Sequence, residues 1–305
     1  MKAFAQWAMQ SRWRITAAAF VCMTVPLLFW LGAALIGLVI LRQGWRDGRA
    51  ILIWAVLPAI AWAFVGEFTS LFDSASTLDQ VASEQTSFSD PTPLMAIMGV
   101  SALAAMLRQT VRLDYTLYLA TGLGVAMYFL LPILMPSFLA LVATSTEDVI
   151  QQLLVDQPEL MVKLEPLFAP MISGAFAAIH TLAIILSLLL ARYWQSELYN
   201  PGGFGREFQV LRLPVVYSAL VVTAMFVTTS ISPVLVGVIP VLTVIMLLAG
   251  LALLHGLAAK KAGSGWLVPV YVALLIFGPY MYTLLIFLAL MDGVFHFRNR
   301  VKDTA

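Results

Sequence analysis

The sequence predicts an all-α, polytopic transmembrane helical bundle, and three observations predict it. Mean hydropathy is +0.93, and only 11% of residues are charged, where an ordinary soluble domain carries about a quarter. Long apolar runs alternate with short polar segments along the whole chain. The charges are also segregated. Sixteen of the seventeen Lys and Arg lie in six short stretches, and ten of the sixteen Asp and Glu lie in two others that hold one Lys between them.

The basic stretches are the N-terminus (Lys2, Arg12, Arg14), 42–49, 108–112, 192–212, 260–261 and the C-terminus (Arg298, Arg300, Lys302). The acidic ones are 66–93 and 144–170. Lys and Arg in short loops stay cytoplasmic, so the basic stretches share the inner side and the acidic loops face out. The chain is therefore expected to form a single integral membrane domain over 1–305, multi-pass in a bacterial inner membrane, with both termini cytoplasmic and the lipid bilayer as its first partner.

The apolar runs are about 15–41, 50–65, 94–107, 115–143, 171–191, 213–229, 234–255 and 265–291. A crossing helix needs about 20 residues. The six middle runs alternate correctly as full spans, provided that 94–107 borrows length by letting Arg108 and Arg112 snorkel. The first and last runs have basic residues at both ends and a proline inside, Pro26 and Pro279. A break there turns each into a helical hairpin and keeps both flanks inside; the alternative is a single Pro-kinked span. Arg12 and Arg14 before an apolar stretch resemble a signal-peptide start, but the run is long and lacks an Ala-x-Ala exit, so it reads as a retained anchor.

The outer loops differ. Residues 66–93 are rich in Ser, Thr, Asp and Gln and read as a solvated loop. In 144–170, Ser145 with Asp148 resembles a capping box, and Pro158 starts a second helical pattern carrying Leu160, Leu164 and Leu167. Two amphipathic helices on the outer surface would form a lid or pad the headgroup region.

Ionisable groups deep in a bilayer are functional candidates by default. His180, inside the 171–191 run, is either a ligand contact or proton-coupled group, or an imidazole bonded to a neighbouring helix. Glu67 sits at an outer boundary. Tyr217, Thr228 and Thr229 supply hydroxyls on the 213–229 run, which bind a polar solute or join helices. An outward-facing cavity between these residues is the expected solute site. The inner loop places Asn200, Pro201, Gly202, Gly203, Phe204, Arg206 and Glu207 around a tight turn with flanking aromatics, a candidate docking surface for a transmembrane or cytoplasmic protein. Asp292 and His296 stand at i and i+4, the spacing of a local ion pair.

Several chemistries find no motif. The one cysteine, Cys22, leaves no internal disulfide. His255 and His296 have no partners at metal-ligand spacing. Gly202, Gly203 and Gly205 lack the Lys-Ser/Thr of a phosphate loop, and no protease arrangement is present. No enzyme, cofactor or metal is expected, and no nucleic-acid partner, since the basic residues form no concentrated surface.

Arg192, Trp194, Tyr199 to Phe204, Glu207, Phe208, Leu211 and Arg212, with Asp292, Phe297 and Arg298 near the end, resemble the inner-loop and terminal motifs of the YybS-like family of predicted bacterial membrane proteins. That family is similar at superfamily level to the S components of energy-coupling-factor transporters. The resemblance implies about six helices, a small solute held in an outward-facing cavity, and docking on a transmembrane subunit, for which Asp292 and Arg298 join the loop residues. Two features depart from it: the first run offers only Ala18 with Cys22 and Ala33 with Gly37 as small-residue pairs, and the hairpins lengthen the chain. The alternative function is a non-transporting scaffold or assembly factor that uses the 192–212 loop.

Overall fold

The computed structural model describes residues 2–73, 90–260 and 264–301, without the side chains of Pro26, residues 65–73, Thr229 and Ser264. Every regular element among them is helical. In chain order they are α1 (Lys2–Met9), α2 (Arg12–Thr24), α3 (Phe29–Gln43), α4 (Trp45–Asp73), α5 (Thr92–Thr110), α6 (Leu113–Leu134), α7 (Pro136–Leu153) and α8 (Pro158–Tyr199). There follow α9 (Gly203–Gln209), α10 (Val215–Ile231), α11 (Pro233–Val236), α12 (Val238–Lys260), α13 (Leu267–Ile276), α14 (Gly278–Phe295) and α15 (Phe297–Arg300). Short 3-10 turns at Pro26–Leu28 and Ser264–Trp266 precede α3 and α13.

Both terminal runs break at their prolines. In the first, α2 ends at Thr24 and the chain turns through Pro26–Leu28 into α3. Arg12, opening α2, then meets Asp47, just beyond α3, at 2.6 Å, so the two ends of the run lie together. In the last, α13 stops at Ile276 and α14 restarts with Pro279 in its first turn, where a missing N–H costs nothing. The Lys260 ammonium at the end of α12 donates to the carbonyls of Arg298 (2.9 Å) and Val301 (3.3 Å) beyond α14. The intervening chain therefore leaves and returns to the same end.

At that end the six basic stretches are tied together. Lys2 pairs with Glu197 at 3.6 Å, and Arg42 lies over the Tyr199 ring at 4.1 Å. Arg108 donates to the Leu41 carbonyl at 2.7 Å, and Arg298 to that of Gln209 at 2.6 Å. With Arg12–Asp47 and Lys260–Arg298, each stretch touches another. The opposite end gathers Thr24, Trp62 and Asp90: the Trp62 indole donates to the Thr24 carbonyl at 3.2 Å, and the Asp90 amide to that of Trp62 at 3.1 Å.

Doubling back makes α3 the centre of the bundle. Its residues Gly32 to Leu41 are buried without interruption, the pattern of a helix enclosed by protein on all sides. It packs against α2, α4, α5 and α8. The small-residue position Gly37 permits this: a Cβ there would lie 2.9 Å from Val100 Cγ1 and 3.2 Å from Ala191 Cβ.

Five stretches are long and apolar enough to cross a membrane: Trp45–Phe64, Leu113–Leu134, Pro158–Tyr199, Pro233–Lys260 and Gly278–Phe295. The expected set of six differs in detail. The 94–107 run forms α5, which is outside this set; it packs on α3, α4, α6 and α8, so protein rather than lipid covers most of its surface. The apolar part of α10, Val215–Thr228, is shorter than a full crossing. The α14 arm of the last hairpin, by contrast, is long enough.

The outer 144–170 segment also corrects its expectation. Ser145 is not a helix start. It lies inside α7, which begins at Pro136, and its hydroxyl donates to the Leu141 carbonyl four residues back at 2.8 Å, a bond that satisfies it mid-helix. Pro158 does open a helix, but that helix is α8, which runs 42 residues through Pro166 and Pro170 to Tyr199. At 1.5 Å per residue it is about 63 Å long, roughly twice the hydrocarbon thickness. Instead of two flat helices, α7 and the first turns of α8 form a hairpin continuous with the bundle. Its base is closed by Phe138 edge-on to Phe176 at 5.1 Å.

Replacing Gly37 by Leu is predicted to overpack the α3, α5 and α8 contact and lower unfolding stability by about 1–3 kcal/mol. Urea unfolding in mixed micelles measures it, and an unchanged midpoint would contradict the central position of α3.

Candidate functional site

His180 is buried on α8, level with the first turn of α5. One ring nitrogen, Nδ1, lies 2.7 Å from the Phe176 carbonyl, and Nε2 lies 2.8 Å from the Thr92 hydroxyl. A carbonyl only accepts, so Nδ1 donates to Phe176 and Nε2 is left to accept from Thr92. Both nitrogens are thus engaged within the protein. The Thr92 amide donates in turn to the Asp90 carboxylate at 2.9 Å, a local bond at the start of α5, while its hydroxyl joins α5 to α8.

The other expected solute ligands are not gathered around it. The Tyr217 hydroxyl donates to the Leu242 carbonyl at 2.9 Å, and its ring stacks on Tyr118 at 5.7 Å. Thr228 donates to the Ala224 carbonyl on its own helix at 2.6 Å. Both sit on α10, which packs on α11, α12 and α14, whereas His180 turns to α5. The side chains of Glu67 and Thr229 lie outside the described residues. A cavity of about 330 Å³ does open at the end away from the basic stretches, lined by Tyr128, Pro132, Leu139, Ala143, Pro170 and Ser173 among others. Its lining is mainly apolar.

The inner loop is folded onto the bundle rather than held away from it. Glu207 pairs with Arg192 at 2.8 Å, and the Ser196 hydroxyl bridges the turn by donating to the Asn200 carbonyl and accepting from the Phe204 amide, each at 2.9 Å. Gly202 takes φ +79°, a left-handed conformation that suits glycine. Gly203 approaches Asn200 so closely that a Cβ would lie 2.6 Å from its amide nitrogen. Phe204 stacks on Phe208, which meets the His255 ring edge-on. Asn200, Pro201, Gly202 and Arg206 remain exposed, while Gly203, Phe204 and Glu207 are half-buried.

The most polar arrangement lies beside this loop. Asp292 on α14 is buried to 2% exposure. Its partner is not His296 but Arg298, whose Nε stands 3.4 Å from Oδ2. His296 caps α14 at φ +57°, which reverses the chain so that α15 carries Arg298 back towards Asp292. The His296 ring faces Arg212, 2.8 Å from Nη2, and the same nitrogen donates to the Gly293 carbonyl at 2.8 Å. Burial pushes the Arg298 guanidinium below its ordinary value, opposed by Asp292 and reinforced by Arg212.

These residues line a cavity of about 500 Å³ together with Gln209, Lys260 and Asn299. Among the described residues, the lining holds the cations Arg212, Lys260 and Arg298 and the carboxylate of Asp292. Arg212 and Arg298 donate to the backbone carbonyls of Gly293 and Gln209, and Arg212 Nη2 also meets the His296 ring. Asp292 Oδ1 and Arg298 Nη2 are buried without a hydrogen-bond partner, a costly arrangement. Arg212, Lys260 and His296 were missed as site residues because in the sequence Lys260 registers only as a topology marker, Arg212 as that and as part of a loop motif, and His296 as a local partner of Asp292; only the fold of α14 and α15 beside the end of α12 puts them in one lining.

The chain matches no protein-family model, no curated protein and no solved structure. The YybS-like resemblance accordingly rests on the residues that carry it.

His180→Ala and Thr92→Val are each predicted to destabilise by about 1–3 kcal/mol, with the double variant losing clearly less than the sum. Unfolding in mixed micelles tests this, and additive losses would mean that the bond joins nothing.

Proposed function

We propose that this chain is a transport-related, multi-pass inner-membrane protein that binds a small anionic solute in the cavity between Asp292, Arg212, Lys260 and Arg298. The observation that carries the reading is the pair of open valences there: Arg298 Nη2 and Asp292 Oδ1 are both buried without a hydrogen-bond partner, in a cavity that Arg212 also lines. An oxyanion accepting from Arg298 Nη2 and donating a hydroxyl proton to Asp292 Oδ1 would satisfy both atoms. Hydrogen phosphate and hydroxycarboxylates have that chemistry. The transport-related part of the reading draws on the S-component resemblance.

Under the positive-inside rule this cavity opens to the cytoplasm. The outward cavity expected from the resemblance has weaker support, because His180 spends both nitrogens internally and the outer cavity is mainly apolar. An inward site fits release of a carried solute or sensing of a cytoplasmic one.

Titration of the purified full chain in mild detergent with inorganic phosphate and with citrate tests the proposal. At least one is expected to bind at a single saturable site, with affinity falling about tenfold or more in Arg298→Gln, in keeping with loss of a charged hydrogen bond, and unchanged in Arg206→Gln. Absence of saturable binding by either anion, or equal affinity in Arg298→Gln, would overturn it.

A further inference from the structure

A second cavity lies on a different face, between α2 and α4. It has a volume of about 670 Å³ and is lined by Arg12, Trp13, Thr16, Ala17, Phe20, Val21 and Trp54. Thr16 and Ala17 are small, so α2 leaves a trough there, walled by Trp13 and Phe20 on its own surface and by Trp54 across the gap. Trp13, Phe20, Val21 and Trp54 are all exposed.

The trough is polar at one end only. Arg12 and Trp13 mark the end where the basic stretches converge, and the lining then becomes apolar towards Val21. Nine residues of helix separate Arg12 from Val21, about 14 Å of rise, which matches half of the roughly 30 Å hydrocarbon core. Arg12 holds Asp47 through Nη2 at 2.6 Å, yet its side chain is 81% exposed, so further donors of its guanidinium face outward. The two segments joined by this pair carry Arg12, Arg14, Arg46 and Arg49 against Asp47 alone. The head end is therefore net positive.

We infer that this trough is a binding site for an anionic phospholipid, with one acyl chain lying along Thr16, Ala17, Phe20 and Trp54 and the headgroup phosphate at Arg12. Charge complementarity at the head end and a one-leaflet length along the tail select this occupant over a soluble peptide or a second copy of the chain. The site shares no residue with the Asp292 cavity. Its failure or success is independent of that proposal.

Tryptophan quenching tests it, because Trp13 and Trp54 flank the trough. The full chain is reconstituted into vesicles of phosphatidylcholine with increasing fractions of phosphatidylglycerol, with bromine on the acyl chains of one lipid at a time. The component of emission lost in the Trp13→Phe/Trp54→Phe variant reports the site. Brominated phosphatidylglycerol is expected to quench that component with an apparent preference of about fivefold over brominated phosphatidylcholine, the factor for one arginine at an anionic surface. The preference should vanish in Arg12→Gln and persist in Arg300→Gln. Equal quenching by the two lipids, or a preference that survives Arg12→Gln, would overturn the inference.

Discussion

Arginine and lysine side chains cannot rest in hydrocarbon without a partner, and this constraint organises the molecule. Six basic stretches spread from Lys2 to Arg298 are brought to one end by contacts that link each to another. For that to happen the first and last apolar runs must reverse direction. Proline supplies the break in both, where it removes a helix donor and fixes the local backbone. The same reversal puts α3 at the centre, since a helix that returns beside its own first arm is enclosed by the helices that follow.

From this centre outward, packing and polarity divide the labour. Small residues such as Gly37 and Ala191 let α3, α5 and α8 approach closely, and His180 with Thr92 adds a directional bond between α5 and α8. Polar groups that have no neighbour to join are concentrated at the basic end. There the reversal at His296 presses Arg298 against Asp292 and leaves buried valences open. A group left unpaired in that position costs stability.

Much of the architecture was legible because charge placement is a one-dimensional record of topology. The basic stretches at Arg12, 42–49, 260–261 and Arg298 marked the ends that meet, and Pro26 and Pro279 marked the turns. What was not legible depends on contacts distant in sequence. Ser145 with Asp148 has the spacing of a helix start, yet Pro136 had already begun the helix and the hydroxyl found a carbonyl within it. Asp292 and His296 have the spacing of a pair, yet the reversal at His296 gives Asp292 to Arg298. His180 stood out as an ionisable group in an apolar run, but its partner Thr92 lies 88 residues away. The Asp292 cavity was half visible: two of its residues were singled out, and its other cations only tertiary structure assembles.

The convergence of the basic stretches is tested most directly by labelling single cysteines with a membrane-impermeant maleimide in intact and opened cells, on a Cys22→Ala background. Positions 46, 109, 210 and 299 lie in or beside stretches at the basic end and should react only after opening, while position 145 on α7 should react in intact cells. Labelling of position 46 or 299 from outside, with 109 and 210 still protected, would show that the terminal runs cross without doubling back and would contradict the account.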